Sequence, residues 1–294
     1  MPNTIAVTPD EIKKWVVTAI ISDDELFEYL VLKGGNAIDL IHHIAARASI
    51  DIDFSMEADF PGGSENLAFR IERALKRTFR QYEYEVFDFK FHHKPEKLSA
   101  DVADFWGGYK TEFKLVGAEF FQEYAKDLNE LRKYALNIGQ GQKFLIDISR
   151  HEYVEGKVAH DFDGYIIYVY SPVMIVCEKL RAICQQMPEY GPVVNRTRPG
   201  SARARDFYDI YQLITLLKID IESDDTMHIL TEIFRCKKVD IALLDKISGQ
   251  REFHRPDFPS VQNTVPSGVA IESFDFYFDF ALGLVEQLKA FRNK

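Results

Sequence analysis

The segment Leu32–Ser55, "LKGGNAIDLIHHIAARASIDIDFS", combines three features that decide how the chain folds around it. An apolar run ends in two glycines, a helical pattern follows, and a strictly alternating stretch closes the segment. In that stretch Ile52 and Phe54 fall on one face of a strand and Asp51 and Asp53 on the other, because side chains alternate along a strand. The segment therefore predicts a strand, a glycine turn, a helix and a second strand that carries paired carboxylates.

The paired aspartates predict chemistry as well as structure. Asp51 and Asp53 would stand about 6.5–7 Å apart at their Cα atoms if they lie on a strand. Two like charges on a partly buried sheet are unfavourable unless a cation compensates them. Mg²⁺ prefers carboxylate and water oxygens, and pairs of such ions promote phosphoryl and nucleotidyl transfer. A solvated strand face with two exposed aspartates is the alternative, and the D-x-D pattern alone fits it too.

The double glycine and a third aspartate favour a phosphate and metal site. Gly34 and Gly35 precede a helix, so a phosphate could approach the free N–H groups at the helix N-terminus. An ordinary strand-to-helix turn is the alternative for this pair. Asp147 lies in the apolar strand pattern "KFLIDIS", where it is the candidate third carboxylate, or else makes a surface contact at the strand end.

The secondary-structure pattern changes near residue 171. Before Pro172 the chain alternates between helical and strand patterns, including a long helix predicted for "AEFFQEYAKDLNELRKYAL", residues 118–136. After Pro172 the apolar spacing is helical and no convincing strand pattern remains. We therefore predict an α+β protein, with an N-terminal mixed-sheet domain over residues 1–170 and a C-terminal helical domain over residues 171–294.

The net charge excludes a uniformly basic nucleic-acid binder but leaves open a local basic site. The 294-residue chain carries a net charge of −10, so it is not a uniformly basic nucleic-acid binder. The segment "NRTRPGSARARD" nevertheless clusters four arginines that could contact RNA phosphates, and a flexible, solvated loop is the alternative. These are Arg196, Arg198, Arg203 and Arg205. The segment "KFHHKPEK", residues 90–97, is a weaker basic candidate because Glu96 interrupts it.

The sequence indicates a cytoplasmic protein without a membrane segment. The N-terminus has no basic region followed by a long apolar stretch, and no apolar run approaches the roughly 20 residues that a bilayer requires. The chain has three cysteines and no CxxC pair. Cys177 and Cys184 share a helix face and are predicted to be core residues, which fits a reducing compartment.

Four short motifs in order resemble a known family. They are "KGG" at residues 33–35, "RASIDID" at 47–53, "EKL" at 178–180 and "RARDFYD" at 203–209. This pattern resembles the nucleotidyltransferase superfamily of the DNA polymerase β type, and more closely the AbiEii/AbiGii toxin family. The third residue of the glycine turn, usually Ser or Thr in that family, is Asn36 in this chain.

The resemblance implies a role for each matching residue. The nucleotide would be bound by the turn and its neighbours, Lys33, Gly34, Gly35, Asn36, Ser49 and Lys179. Asp51, Asp53 and Asp147 would bind Mg²⁺ (or Mn²⁺), and Asp147 would help to deprotonate the attacking hydroxyl. Lys179 would neutralise phosphate charge, and Asp206 would orient Lys179 or a substrate group. A purely structural bridge between Lys179 and Asp206 is the alternative, and the two roles are compatible.

The resemblance also implies a function. It predicts metal-dependent transfer of an NMP from an NTP to a hydroxyl acceptor, which in parts of the family is the 3′ end of tRNA. It further predicts that the protein is the toxin of a toxin–antitoxin or abortive-infection system and has a cognate antitoxin. Three alternatives stay open from the sequence: a non-catalytic nucleotide-binding protein that acts through a protein partner, an interaction protein whose acidic surface faces a basic antitoxin, and a carboxylate–metal nuclease.

Overall fold

The computed structural model describes residues 7–42, 51–138, 141–265 and 268–292 of the chain. Within them, a seven-stranded mixed sheet is surrounded by helices. The strands are β1 Val31–Lys33, β2 Ile52–Ser55, β3 Tyr84–Lys94, β4 Gly108–Gly117, β5 Phe144–Ser149, β6 Lys157–Phe162 and β7 Tyr165–Tyr170. The α-helices of six or more residues are α1 Pro9–Ile21, α2 Asp24–Tyr29, α3 Gly63–Arg80, α4 Ala118–Tyr124, α5 Leu128–Lys133, α6 Pro172–Cys184, α7 Ala204–Leu217, α8 Asp224–Arg235 and α9 Phe274–Arg292.

The order of strands places the candidate residues at the centre of the sheet. The order is β3-β4-β5-β2-β1-β7-β6, with β2 parallel to β5 and β1 parallel to β7. The remaining neighbours are antiparallel. Because β2 lies between β1 and β5, the strand that bears the aspartate pair is flanked by the strand of the glycine turn and the strand of Asp147.

The hydrophobic core confirms the alternation predicted for β2. Ile52 and Phe54 are 3% and 0% exposed, so the apolar face of the strand is buried. The same continuous core includes Leu180 of α6 and Phe278 of α9. Strands up to residue 170 followed by helices confirm the α+β class. Since one core joins the two parts, the division into domains at residue 171 stays a prediction.

Three elements differ from the prediction. The strand β6 was missed because "KVAHDF" is polar and pairs along one side only, as an edge strand. The helix predicted over residues 118–136 is two helices, α4 and α5. The break occurs because Asp127 caps a new helix, its side chain accepting hydrogen bonds from the backbone of Asn129 and Glu130. β1 covers only Val31–Lys33 of the run "EYLVLKGG", residues 28–35, which predicts the first strand, because α2 extends to Tyr29.

The helix predicted after the glycines is only partly described. A helical turn covers Gly34–Asn36 and a π-helical turn covers Ala37–Ile41. The rest of the predicted helix lies outside the described residues, as do Arg47 and Ser49 of the second motif. In the part of the chain that the structure describes, no helix has the length and apolarity needed to span a bilayer.

Candidate functional site

The three predicted aspartates meet at the centre of the sheet. β2 and β5 place Asp53 directly opposite Asp147. Their side chains therefore leave the same face, from strands about 4.8 Å apart. Asp51 is exposed and precedes Asp53 by two residues. All three line one cleft of about 550 Å³, so the fold brings the D-x-D pair and the third carboxylate together.

The cleft also gathers most of the other predicted residues. The glycine turn forms one wall, and α6 and the start of α7 form another. From these walls the cleft is lined by Gly34, Gly35, Lys179, Arg203, Arg205 and Asp206. Residues as far apart in sequence as Gly34 and Asp206 therefore converge over the carboxylates.

Gly34 is where the turn touches the carboxylate pair. Its φ is +69°, in the left-handed region that favours glycine. A Cβ atom at this position would come within 2.6 Å of the Asp53 Oδ2 atom. The positive φ and the lack of space for a Cβ atom both require glycine at this position. The backbone of the turn therefore packs directly against the Asp53 carboxylate.

Asn36 does not have the role that the resemblance implies. Its side chain is fully buried and is not part of the cleft lining. The amide nitrogen donates a hydrogen bond of 2.6 Å to the backbone oxygen of Asp51. Donation from this amide to a phosphate therefore does not match the structure, and Asn36 instead ties the glycine turn to the start of β2.

Lys33 lines the cleft but is committed to a buried ion network. Its ammonium donates to Glu178 Oε1 at 3.0 Å and to Ser149 Oγ at 3.2 Å, and it lies 3.6 Å from Glu152 Oε1. Burial works against the charged lysine, but Glu152 and Glu178 outweigh it and raise the pKa of Lys33. Two carboxylates therefore already compensate this ammonium, and phosphate binding by Lys33 stays a prediction.

Lys179 forms the structural bridge that the sequence left open. Its ammonium donates to Asp206 Oδ1 at 3.1 Å and to Asp209 Oδ2 at 2.7 Å, and all three side chains are buried. Arg203 donates to the other oxygen of Asp206. Burial opposes the charged form of Asp206, but Arg203 and Lys179 outweigh it and lower the pKa of this carboxyl. The bridge locks α6 to α7 at the rim of the cleft.

The four predicted RNA-binding arginines lie in three different surroundings. Arg203 and Arg205 line the cleft. Arg198 is exposed on the preceding loop. Arg196 instead donates to the backbone oxygens of Gln186 and Met187, at 3.3 and 3.1 Å, and so fixes the loop. The structure therefore removes Arg196 from the candidate contacts and leaves three.

Lys94 completes the cleft and was missed as a site residue. Its ammonium donates to Asp147 Oδ2 at 2.6 Å, whereas the Oδ1 atom of Asp147 is buried and has no hydrogen-bond partner among the described residues. The available signal was the basic segment 90–97, which ends next to β4 and hence close to β5. Sequence alone could not give this approach, because it depends on the register of three strands.

A family model and two solved structures resemble this chain. The model described as "Nucleotidyl transferase AbiEii toxin, Type IV TA system" matches residues 15–279. The chain belongs to this AbiEii toxin family. A candidate nucleotidyltransferase from H. pylori is 14% identical, with a TM-score of 0.48, over 99% of this chain and 98% of that one. An antigenic nucleotidyltransferase-like protein from Paracoccidioides brasiliensis is 13% identical, with a TM-score of 0.35, over 85% and 92% of the two chains. No curated protein matches the chain.

Membership of the AbiEii family confirms the resemblance inferred from the four motifs. It makes the protein a nucleotidyltransferase of a toxin–antitoxin family. The family model spans both the sheet and the helices that line the cleft, from α1 to α9. The motifs "KGG", "EKL" and "RARDFYD" all contribute residues to that cleft.

The cleft of this AbiEii family member has the chemistry of a divalent-cation site. Burial, opposed by Lys33, and repulsion from Asp147 raise the pKa of Asp53 to about 7. Burial and Asp147 also raise the pKa of Asp51. No group of three or more His, Cys, Asp or Glu side chains in the described ranges is close enough to enclose a metal ion. Magnesium does not require such a cage, since it keeps waters and binds one or two carboxylates together with substrate phosphates. The free Oδ1 of Asp147 and the mutual repulsion of the aspartates fit that mode.

Replacing Gly34 with alanine is expected to reduce nucleotidyl transfer at least about a hundredfold. The new Cβ collides with the Asp53 carboxylate and displaces both the turn and the strand. The positive φ adds about 1–2 kcal/mol of strain. Steady-state kinetics and thermal unfolding measure the two effects. Gly63→Ala is the matched control, because Gly63 has a φ of +79° and open space around its Cβ position. Equal activity losses in the two variants would contradict the assigned contact.

His254 is expected to make the fold sensitive to acid. It is fully buried, and its Nδ1 atom accepts a hydrogen bond of 3.0 Å from the backbone N–H of Arg203. Burial lowers the pKa of His254 to about 4. The neutral ring therefore stabilises the fold fully above pH 6.5, and this stability, at most about 3 kcal/mol, is lost as pH falls from 6.5 to 4.

Urea unfolding of wild-type protein and His254→Asn across this pH range measures the effect. Asparagine keeps a hydrogen-bond acceptor but does not titrate. The stability of the His254→Asn variant should therefore fall less than that of wild type between pH 7 and 4. His228→Asn, at an exposed histidine, serves as the control and should follow the wild type. Parallel pH profiles for all three proteins would show that His254 does not titrate in this way.

Proposed function

We propose that this protein transfers an NMP from an NTP to a hydroxyl group at the end of an RNA, such as the 3′ end of tRNA, in a divalent-cation-dependent reaction. The observation that carries the proposal is the placement of Asp53 opposite Asp147, with Gly34 in contact with Asp53. This arrangement puts the glycine turn, a carboxylate pair and a third carboxylate around one cleft. The family assignment supports the reaction class.

In this proposal the glycine turn and the aspartates have distinct tasks. The backbone N–H groups of Gly34 and Gly35 bind the triphosphate. Asp51 and Asp53 would hold Mg²⁺ or Mn²⁺, with Asp147 as third ligand or base; the ion would neutralise charge on the phosphates and on the oxygens that attack and leave. The Gly34–Asp53 contact keeps the two sets in register.

Asp147 is the candidate base. Lys94 holds its Oδ2 atom, which fixes the carboxylate, and leaves the buried Oδ1 atom able to accept a proton. The acceptor hydroxyl gives its proton to that oxygen and attacks the α-phosphorus. A new oxygen–phosphorus bond forms, the bond to the β-phosphate breaks, and pyrophosphate leaves in line with the attack.

Two further roles follow from the contacts around the cleft. The Lys179 bridge to Asp206 and Asp209 positions α7, so that Arg203 and Arg205 face the phosphates. Lys179 then acts on the nucleotide mainly through this positioning. The family membership also supports a cognate antitoxin that restrains this activity in the cell.

Label transfer from each of the four NTPs to total tRNA tests the proposal. Wild-type protein with Mg²⁺ or Mn²⁺ should label the RNA, and intact-mass analysis should show a gain of one or more nucleotides. Asp51→Ala and chelation of the metal should each prevent it. No label with any NTP, or shortening of the RNA by wild-type protein, would reject nucleotidyl transfer; shortening would indicate a nuclease instead.

A further inference from the structure

A second cavity of about 350 Å³ adjoins the cleft at Asp147. Asp147 and Lys94 belong to the lining of both spaces. The second cavity has its own walls, which include Trp106 before β4 and Gln185 at the end of α6. Gly34, Asp51 and Asp53 line the first cleft and are not part of this lining. The two spaces therefore share the candidate base and the cations Lys33, Lys94 and Arg203, but only the first contains the glycine turn and the aspartate pair.

The two spaces also differ in charge. Five Lys and Arg side chains and six Asp and Glu side chains line the first cleft. Five Lys and Arg side chains but only three Asp and Glu side chains line the second cavity. The lining of the second cavity therefore carries fewer carboxylates for the same number of cations, which favours a phosphodiester there more than in the first cleft.

Both basic segments found in the sequence are linked at this second cavity. Lys94 and Pro95, from the segment 90–97, line it directly. The loop with Arg196 and Arg198 is attached to the connection between β3 and β4, because Asn195 donates to Ser99 Oγ at 3.0 Å and to Asp101 Oδ2 at 2.8 Å. Two segments that are about a hundred residues apart are thus attached to the same connection between β3 and β4, and the exposed Arg198 belongs to one of them.

We propose that the second cavity binds the terminal, hydroxyl-bearing nucleotide of the acceptor strand. The inference rests on the proposed function and names where its acceptor lies. Attacking and leaving oxygens must stand on opposite sides of the phosphorus. With the triphosphate at Gly34 and Gly35, the hydroxyl has to arrive next to the candidate base Asp147 and opposite the leaving pyrophosphate. The second cavity is the space there, and its volume is at the lower end of the range for small-ligand pockets.

The lining suits a nucleotide. Trp106 offers an aromatic surface on which a base can stack whatever its sequence. Gln185 carries an amide whose oxygen can accept from a base edge, while its nitrogen donates to Tyr190 Oη at 3.3 Å. Lys94 and Arg203 stand at the boundary with the first cleft, where the terminal phosphate of the strand would lie.

The fluorescence of Trp106 tests this binding without any turnover. The chain has two tryptophans, and Trp15 stacks on Tyr82 with 3.9 Å between ring centroids, in α1 and away from both cavities. Trp15→Phe therefore leaves Trp106 as the only fluorophore. A short RNA with a free 3′ hydroxyl, added without NTP, should quench it in a saturable way, and saturating Mg·ATP should neither quench it nor displace the RNA.

Quenching by Mg·ATP alone, competition between Mg·ATP and the RNA, or no response to RNA would each overturn the assignment. A matching DNA strand serves as a second arm, which separates recognition of the stacked base from recognition of the ribose. If RNA quenches the Trp106 fluorescence but the protein never labels RNA, the binding site is supported and the proposed reaction is rejected. Failure of the binding assignment is therefore distinguishable from failure of the proposed function.

Kinetics supply a second measurement. Trp106→Ala should raise the KM for the RNA acceptor about tenfold and leave the KM for the NTP unchanged. Trp106→Phe keeps a stacking surface and should restore most of the acceptor affinity. A rise in the KM for the NTP with no change for the RNA would assign the cavity to the incoming nucleotide and overturn the proposal.

Discussion

Asp53→Asn should reduce nucleotidyl transfer by at least about a thousandfold while leaving the metal-free protein folded and more stable at neutral pH. The loss of activity follows because asparagine removes one of the two charges that would hold the cation, which supplies several kcal/mol of charge stabilisation in such reactions. The gain in stability follows because Asp53 is half-buried opposite Asp147 and next to Asp51.

The ionisation of Asp53 determines how the stability difference between the variant and wild type depends on pH. Burial, opposed by Lys33, and repulsion from nearby carboxylates raise the pKa of Asp53 to about 7, from about 4 in an unfolded chain. Ionised Asp53 therefore costs stability that grows as pH rises from 4 to 7. Asparagine removes this cost, so the variant should be about 1–2 kcal/mol more stable at pH 8 and equal to wild type at pH 4.

Thermal unfolding in the presence of a chelator, together with label transfer to RNA, measures both effects. Asp161→Asn is the matched control, because Asp161 is an exposed aspartate on the edge strand β6. It should leave activity and stability unchanged. An active Asp53→Asn protein would show that Asp53 does not bind the cation. A variant that is less stable than wild type at pH 8 would show that Asp53 does not repel its neighbours.

The sequence predicted those parts of the site that depend on local periodicity. Alternation in β2 placed Asp51 and Asp53 on the face opposite Ile52 and Phe54, and burial confirms the apolar half of that pattern. The glycine requirement at Gly34 was also visible, although the collision of its Cβ position with Asp53 was not. Periodicity shows which face a side chain leaves, because that is fixed within one strand.

The sequence could not predict which charged groups compensate one another. Lys33 and Lys179 were both expected at the nucleotide, yet each is bound by two carboxylates from other elements. Asn36 was expected at a phosphate, yet it binds the backbone of Asp51. Strand register and helix packing bring these partners together, and the partners of Lys33 lie more than 100 residues away in sequence. The spacing of the motifs contains no information about such contacts.

Glu152→Gln is expected to destabilise the fold by about 3 kcal/mol, or roughly 6–12 °C in Tm. Glu152 is 5% exposed and lies 3.6 Å from Lys33 Nζ, 3.3 Å from Arg181 Nη1 and 3.4 Å from Lys237 Nζ. Burial opposes its charge, but these three cations outweigh it and lower the pKa of Glu152 to about 2. Neutralising it leaves buried cations without full compensation, which is the costly way to break such a network.

Activity should fall with stability, because the network reaches the site. Lys33 immediately precedes the glycine turn, and Arg181 lies in α6, one turn from the residues that line the cleft. A looser Lys33 should therefore misplace Gly34 and lower kcat. Glu155→Gln, at an exposed glutamate three residues along the chain, is the control and should change neither quantity. A Glu152→Gln protein with wild-type Tm would contradict the network's contribution.

The double variant Glu152→Gln/Lys237→Met identifies the cation that causes the loss. Burial lowers the pKa of Lys237, whereas the pKa values of Lys33 and Arg181 are raised, so the charge of Lys237 is the least compensated of the three. Its ammonium also donates to the backbone oxygens of Phe105 and Arg150, so Lys237→Met alone should be destabilising. Together the two changes should cost about 1–2 kcal/mol less than the sum of the single changes, measured by urea unfolding. Strict additivity would mean that Glu152 compensates Lys33 and Arg181 alone, and that the helical wall of the cleft is held without Lys237.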